Sequence, residues 1–390
     1  MIVVAGKNNI AVHALNKLID IVGANSLIAL PNRNDDGNDS WQRSFRLAAE
    51  KKEVRIESLE TLDKKKVRFF LSLEYDRIIS PDLFPFATLY NFHFSKLPKY
   101  KGMYTSIWPI FFGDDESGVT VHEIDRGIDT GKIYAQKNFK IDKKDRARDL
   151  YRKYITNAIE LFDDKVDELL SEKLCAKLQQ AENSSYFPKD SLDFSKIKIN
   201  MNCTAWQLQR QIYAFSFREY QLPQLFGKSI VEAEITDRKS VHKPGKVVDD
   251  FDGKLVLSTI DYDVVLYADK LSETLNCLGN SQLNDIPRRL KHIAGIHDRN
   301  DRGWSPIIVA AYNGNVQAVE YLLNNGADVN DRNHNGTTAL MYAKDFSLKF
   351  RDKKVFDLLM EFGADPELKD YQGKALRDYI THKDALYLGL

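Results

Sequence analysis

The first third of the chain alternates short apolar runs with stretches of mixed character. MIVVAG (1–6) predicts a buried strand, and Asn8–Ile19 a helix behind it. Ser26–Leu30 predicts a second strand, Trp41–Lys51 a second helix, and Val67–Leu73 and Ala87–His93 two further strands. Strands that alternate with helices imply a mostly parallel sheet covered on both faces, an α/β arrangement. Ligands of such sheets gather beyond the carboxyl ends of the strands.

Farther on the pattern changes twice. VTVHEID and KIYAQKNF predict a strand pair around the turn RGIDTG (126–131). A long amphipathic helix is expected at about 144–172, because Leu150, Tyr154, Ile155, Ala158, Leu161, Phe162 and Leu169 recur at helical spacing. The polar stretch AENSSYFPKD (181–190) marks a boundary, and residues 191–280 predict a small, mostly-β module with one short helix at Ala205–Tyr213. From 281 to 390 the chain becomes helical and repetitive. Turn glycines Gly303, Gly336 and Gly373 lie 33 and 37 residues apart, with SPII and TTAL following the first two. This is the ankyrin pattern, with about four extra residues in the second unit and atypical units expected at the ends. Three domains result: 1–190, 191–280 and 281–390.

Charge and cysteine content narrow the function. The 56 basic residues match the 56 acidic ones, which argues against a general nucleic-acid binder. No apolar run approaches the roughly 18–20 residues that span a bilayer, and the N-terminus lacks a signal-peptide pattern. Cys175, Cys203 and Cys277 form no CxxC pair and cannot all bond one another, so they read as reduced thiols of a cytoplasmic protein. The eight dispersed histidines and three cysteines offer no metal-site spacing.

One constellation carries chemistry. In YNFHFSKLPKYKG (90–102), Asn91 and His93 stand two apart at a strand end and so face the same side. Ser95 and LPKYKG (97–102) follow, then GVTVH (118–122) and Asp129-Thr130-Gly131. In this order and spacing the pieces resemble the formyltransferase family that uses N10-formyltetrahydrofolate. The resemblance covers about residues 1–200, fades by 275, and implies a Rossmann-like catalytic domain. It also implies that Asn91 stabilises the oxyanion, that His93 is the base, and that Asp129 tunes His93 and relays protons. The chemistry suits those types. An amine attacks only when neutral, and His is the side chain whose ordinary pKa lies near neutrality. The oxyanion that develops needs a fixed donor, which an Asn amide supplies, and a carboxylate close to His should raise its basicity. Asp129 in G-x-D-x-G also suits a plain turn. His122 and Ser95 are expected to be structural. The family's pterin would lie along Ser72-Leu73-Glu74-Tyr75. No metal is implied.

The acceptor is a separate question. GKNNIAV (6–12) and YAFSFREYQLPQLFGK (213–228) resemble the family branch that formylates dTDP-linked amino-dideoxyhexoses for bacterial surface polysaccharide such as O-antigen. Within this branch an ankyrin tail accompanies an enzyme acting on dTDP-3-amino-3,6-dideoxyglucose. Asn8, Arg218, Tyr220 and Gln221 are the candidate substrate contacts: Arg218 for pyrophosphate, Tyr220 for stacking on the base. Phe215, Phe217 and Tyr220 would alternatively be core of the small module. Trp304, at a repeat position that is normally exposed, is a candidate ligand site with Asn333 and His334, for a protein or for the nucleotide of a second dTDP-sugar. The resemblance also implies a homodimer. Two alternatives stand: a methionyl-tRNA-type formyltransferase, and an ankyrin interaction protein with a vestigial enzyme domain.

Overall fold

The structure is a computed structural model describing residues 1–180, 182–279 and 285–390. The 280/281 domain boundary and Ala181 at the head of AENSSYFPKD lie outside those residues. The chain divides into two compact units: Met1–Lys198 with Tyr213–Phe215, and Ile199–Ile212 with Ser216–Leu390.

The first unit is built on a seven-stranded sheet. In chain order its parallel strands are β1 (Ile2–Gly6), β2 (Leu27–Pro31), β3 (Arg55–Ile56), β4 (Phe69–Leu73) and β5 (Thr88–His93). A two-residue strand β6 (Lys101–Gly102) comes next in the chain, then β7 (Glu116–Glu123) and β8 (Ile133–Lys140). The sheet runs β3-β2-β1-β4-β5-β7-β8, with β7 and β8 antiparallel, and β6 pairs separately with β9 (Tyr186–Phe187). The strand pair expected after Gly118 thus extends the parallel sheet. Every residue of IVVAG and FFLSL is buried, which is why central parallel strands show no alternation.

Helices α1 (Asn8–Val22) and α2 (Phe45–Lys51), a short α3 (Trp108–Phe112) and the 24-residue α4 (Ala147–Leu170) complete the unit. The apolar stripe that predicted α4 is its buried face, and α1 packs beside it. Gly6 allows β1 and β4 to meet: a Cβ there would lie 1.9 Å from the Leu73 carbonyl oxygen, which accepts the Lys7 N–H at 3.2 Å.

The second unit holds a five-stranded antiparallel sheet. Its strands are β10 (Gln224–Leu225), β11 (Lys228–Lys239), β12 (Val247–Phe251), β13 (Lys254–Leu257) and β14 (Tyr262–Ala268), in the order β10-β11-β14-β13-β12. Helix α5 spans Ala205–Ala214. The helical end of the chain comprises α6 (Leu271–Leu278), α7 (Ile286–Leu290), α8 (Pro306–Tyr312), α9 (Val316–Asn324), α10 (Ala339–Phe350), α11 (Lys354–Glu361) and α12 (His382–Leu388). One apolar cluster runs through it, from Leu271 and Leu275 to Leu376 and Leu388. Stacked repeats bury a continuous core in this way because no single repeat can cover its own face.

Phe162 of α4 is fully buried and lies 5.7 Å, ring to ring, from Phe92, which stands on β5 between Asn91 and His93. Phe162→Ala should therefore lower stability by about 3–5 kcal/mol, measured by denaturant unfolding. It should also reduce activity by loosening the strand that carries Asn91 and His93.

Candidate active site

Asn91 and His93 end β5, at the carboxyl edge of the parallel sheet. Asp129 reaches them from the β7–β8 turn, where it adopts φ +54°. Its carboxylate is surrounded: Oδ2 accepts the Gly102 N–H at 2.8 Å and lies 3.5 Å from His93 Nδ1. Oδ1 accepts from Asn91 Nδ2 at 3.2 Å and lies 3.3 Å from His122 Nε2. The turn is held by Gln179, whose amide donates to the carbonyls of Asp129 and Gly131 at 2.8 Å each. Gly131 is required at its position, since a Cβ would meet the Glu123 carbonyl oxygen at 1.9 Å.

The tautomer of His93 follows from one bond. Its Nε2 lies 2.8 Å from the Tyr100 carbonyl, which can only accept, so Nε2 carries the proton. Nδ1 is then the basic nitrogen, and it faces Asp129. Burial pushes the His93 pKa below the ordinary imidazole value of 6.5, Asp129 pulls it back up, and His122 lowers it further. The expected rise in basicity from the carboxylate is thus present but outweighed, which leaves a neutral imidazole at pH 7. Burial also opposes charge on Asp129. His93, His122 and the Gly102 N–H outweigh it and hold the carboxyl well below the usual carboxylate range.

Ser95 is buried and shapes the loop: its hydroxyl donates to the Lys99 carbonyl at 2.8 Å and its carbonyl accepts the Thr120 hydroxyl at 2.7 Å. The Leu97–Pro98 bond is cis. His122 sits closer to the chemistry than its strand position suggested. Its Nδ1 donates to the Glu123 carbonyl at 2.7 Å, and its Nε2 is 3.1 Å from Asn91 Nδ2. Tyr100, Gly102, Gln179 and Asn32 were not singled out by sequence. Tyr100 and Gly102 act through backbone groups inside LPKYKG, and nothing around Gln179 or Asn32 signals a role.

The segment at the end of β4 lies beside Asn91 and His93. Ser72 pairs in register with Asn91 and Leu73 with Phe92. Asn32 clamps the following turn, donating to the Glu74 carbonyl at 2.9 Å and accepting the Asp76 N–H at 3.2 Å. Tyr75 turns away, edge-on to Phe70 at 6.2 Å. Asn8, at φ +63°, donates to Glu74 at 3.3 Å and to the Tyr151 hydroxyl at 2.7 Å.

In the second unit Arg218 does not present an open guanidinium. It donates to Asp269 through both terminal nitrogens at 2.6 and 2.8 Å, and to Asp298 through Nε and Nη2 at 2.6 Å each. Two carboxylates take four of its five N–H groups, so its charge is already balanced before any pyrophosphate arrives. Tyr220 is 60% exposed with its ring 4.7 Å from buried Phe217, and the Gln221 N–H donates to the Phe217 carbonyl at 2.7 Å. Trp304 is half-buried rather than exposed, because Tyr312 and Tyr342 flank it at 5.1 and 5.0 Å and it packs on the repeat core. Asn333 donates to the Tyr342 hydroxyl at 2.9 Å, and His334 closes over Gly303, where a Cβ would lie 2.4 Å from its ring. The structure therefore does gather Trp304, Asn333 and His334.

The geometry makes a pH prediction. With His93 as the expected base, active when neutral, the acid limb of kcat/KM should have its midpoint below 6.5. Asp129→Asn should move that limb further toward acid, since the carboxylate is what raises the imidazole pKa, and should also reduce kcat. A pH–rate profile of both proteins checks this; a limb moving toward alkali in Asp129→Asn would contradict it.

The formyl transferase family matches residues 28–165, and ankyrin repeats in three copies match residues 277–370. The chain is 37% identical to WlaRD, a sugar 3N-formyl transferase solved in the presence of dTDP and 5-N-formyl-THF, over 68% of this chain and 97% of that one, with a TM-score of 0.63. An N-formyltransferase from Helicobacter canadensis, solved with folinic acid and dTDP-3-aminofucose, is 36% identical over 69% of this chain and 99% of that one, with a TM-score of 0.62. A methionyl-tRNA formyltransferase from Clostridium tetani (strain Massachusetts / E88) is 28% identical over 67% of this chain and 88% of that protein. Similarity at this level across nearly the whole of two solved enzymes, joined to the Asn91, His93 and Asp129 constellation, shows that the chain belongs to the formyl transferase family.

Proposed function

We propose that this protein transfers a formyl group from N10-formyltetrahydrofolate to the amine of a dTDP-linked amino-dideoxyhexose, dTDP-3-amino-3,6-dideoxyglucose being the acceptor expected. The observation that carries the reaction is the fixed tautomer of His93. With Nε2–H tied to Tyr100, Nδ1 is the single ring nitrogen able to take the amine's proton, and Asp129 stands 3.5 Å away to stabilise the resulting charge. Both amide hydrogens of Asn91 go to His122 and Asp129 here, and turning one of them toward the formyl oxygen would let it steady the charge that develops there. The folate supplies the formyl carbon when bound. The backbone of the β4 end at Ser72 and Leu73 lies beside Asn91 and Phe92, a place that fits its pterin.

The sugar acceptor draws on the two solved relatives, whose structures hold dTDP or dTDP-3-aminofucose. Tyr220, largely exposed, suits a base-stacking platform. Arg218, with its charge balanced internally, instead positions that turn. A balanced net charge and a short module at 200–275 speak against tRNA as the acceptor. Such a product would serve surface polysaccharide assembly, and the family resemblance adds the expectation of a cytoplasmic homodimer. Among the described residues no helix is long and apolar enough to cross a membrane.

A panel of dTDP-amino sugars and methionyl-tRNA, each assayed with the folate donor, tests this. Formylation of a 3-amino sugar is expected, with His93→Asn lowering kcat by about 10²–10⁴-fold. Product from methionyl-tRNA alone would reverse the assignment, and no product from any acceptor would leave a vestigial enzyme. For the repeats, the rings of Trp304, Tyr312 and Tyr342 support a planar ligand such as dTDP. Trp304→Ala should weaken dTDP binding in a fluorescence titration of the intact chain, and unchanged affinity and stoichiometry would remove that role.

A further inference from the structure

Asn8 and Glu74 both carry left-handed backbone angles, φ +63° and +61°, although neither is glycine. Such conformations persist in side-chain-bearing residues where the surroundings impose them, and they concentrate at functional sites. The two residues follow β1 and β4, which lie side by side and between which the strand order reverses: β2 and β3 lie beyond β1, β5 beyond β4. The crevice at such a reversal is where open α/β sheets bind ligands. Leu73 pairs with Phe92, the residue between Asn91 and His93, and Glu74 follows Leu73 directly.

The Glu74 carboxylate is held in this crevice. The Tyr151 hydroxyl lies 2.8 and 2.7 Å from its two oxygens, and Asn8 Nδ2 lies 3.3 Å from Oε2. Tyr151 is itself fixed by Asn8 and by the rings of Trp41 and Phe94 at 5.6 and 5.9 Å. The loop does not need this carboxylate, because Asn32 already clamps the turn through the Glu74 backbone. The donors at hand do not balance the burial: desolvation pushes the Glu74 pKa up against Lys7, Tyr151 and Asn8. The group would gain from one more donor, and it retains acceptor capacity for one.

We propose that Glu74, aimed by Tyr151 and Asn8, accepts a hydrogen bond from the sugar hydroxyl next to the reacting amine, so that it selects the acceptor rather than holding the folate. This rests on the amino-sugar reading given above. A buried acceptor left unpaired discriminates strongly against analogues that lack the matching hydroxyl.

Steady-state kinetics on the full chain, with acceptor and folate each varied, test it. Glu74→Gln should raise the acceptor KM by about 10- to 100-fold, the usual worth of a hydrogen bond to a charged group, and leave the folate KM unchanged. A rise in the folate KM instead, or no change in either, overturns the assignment. The wild-type enzyme provides a second arm that does not depend on the variant folding. Of acceptors lacking the hydroxyl on one or the other side of the amine, one should lose a similar factor in KM. Equal handling of both analogues and the parent sugar overturns the proposal. If the wild type formylates no amino-sugar nucleotide, the acceptor reading itself falls and this inference falls with it.

Discussion

A carboxylate inside a protein stays charged only where donors and cations meet it from several directions, and Asp129 is such a group. Gly102 supplies a backbone N–H and Asn91 an amide N–H, the rings of His93 and His122 face it, and these groups come from β5, the LPKYKG loop and β7. Each supporting segment has its own fastening. Ser95 and Thr120 tie the loop, Gln179 holds the turn, and Gly131 lets that turn approach β7. Loss of any fastening would strand part of a buried charge, whose effective penalty is several kcal/mol. The antiparallel pair β7–β8 is therefore more than an edge of the sheet, since its turn delivers the charge that opposes the effect of burial on His93.

How much of this was legible depends on what kind of group does the work. Asn91, His93 and Asp129, proposed to act by their chemical type, stand in fixed order along the chain, and the structure brings them together. Groups that act through the backbone could not be named from the chain. The Tyr100 carbonyl decides which nitrogen of His93 is basic, yet any residue there has a carbonyl. Gly102 gives an N–H that every residue but proline would offer. The strands were visible because central parallel strands are apolar throughout, as in FFLSL, and α4 because its stripe repeats at helical spacing. The net direction of the His93 shift was not visible, because burial is a property of the packed unit and it outweighs the carboxylate that sequence places nearby.

Arg218 and Trp304 show a second limit. Both were chosen for what their side chains can bind, and in each case the fold supplies internal partners. Asp269 and Asp298 lie 51 and 80 residues after Arg218, so no local pattern announces them. Tyr312 and Tyr342 reach Trp304 because stacking of the ankyrin repeats lays α10 beside α8. A long-range pair of this sort is read from a sequence only when its spacing is tied to a regular repeat, and the Arg218 pairing has no such spacing.

That pairing bears on where the chain can be cut. Asp298 is fully buried and precedes the first repeat turn, and its carboxylate also caps the Ala294 N–H at 2.9 Å. Arg299 beside it joins Asp331 of the next repeat. Removing the repeats from about residue 298 onward would strip Arg218 of half its counter-charge and disturb the turn bearing Tyr220. A truncated protein would then report a damaged Tyr220 turn as readily as the loss of the repeats themselves. Point changes on the outer face of the repeats are the cleaner instrument, because they leave the electrostatic seam between sheet and repeats intact.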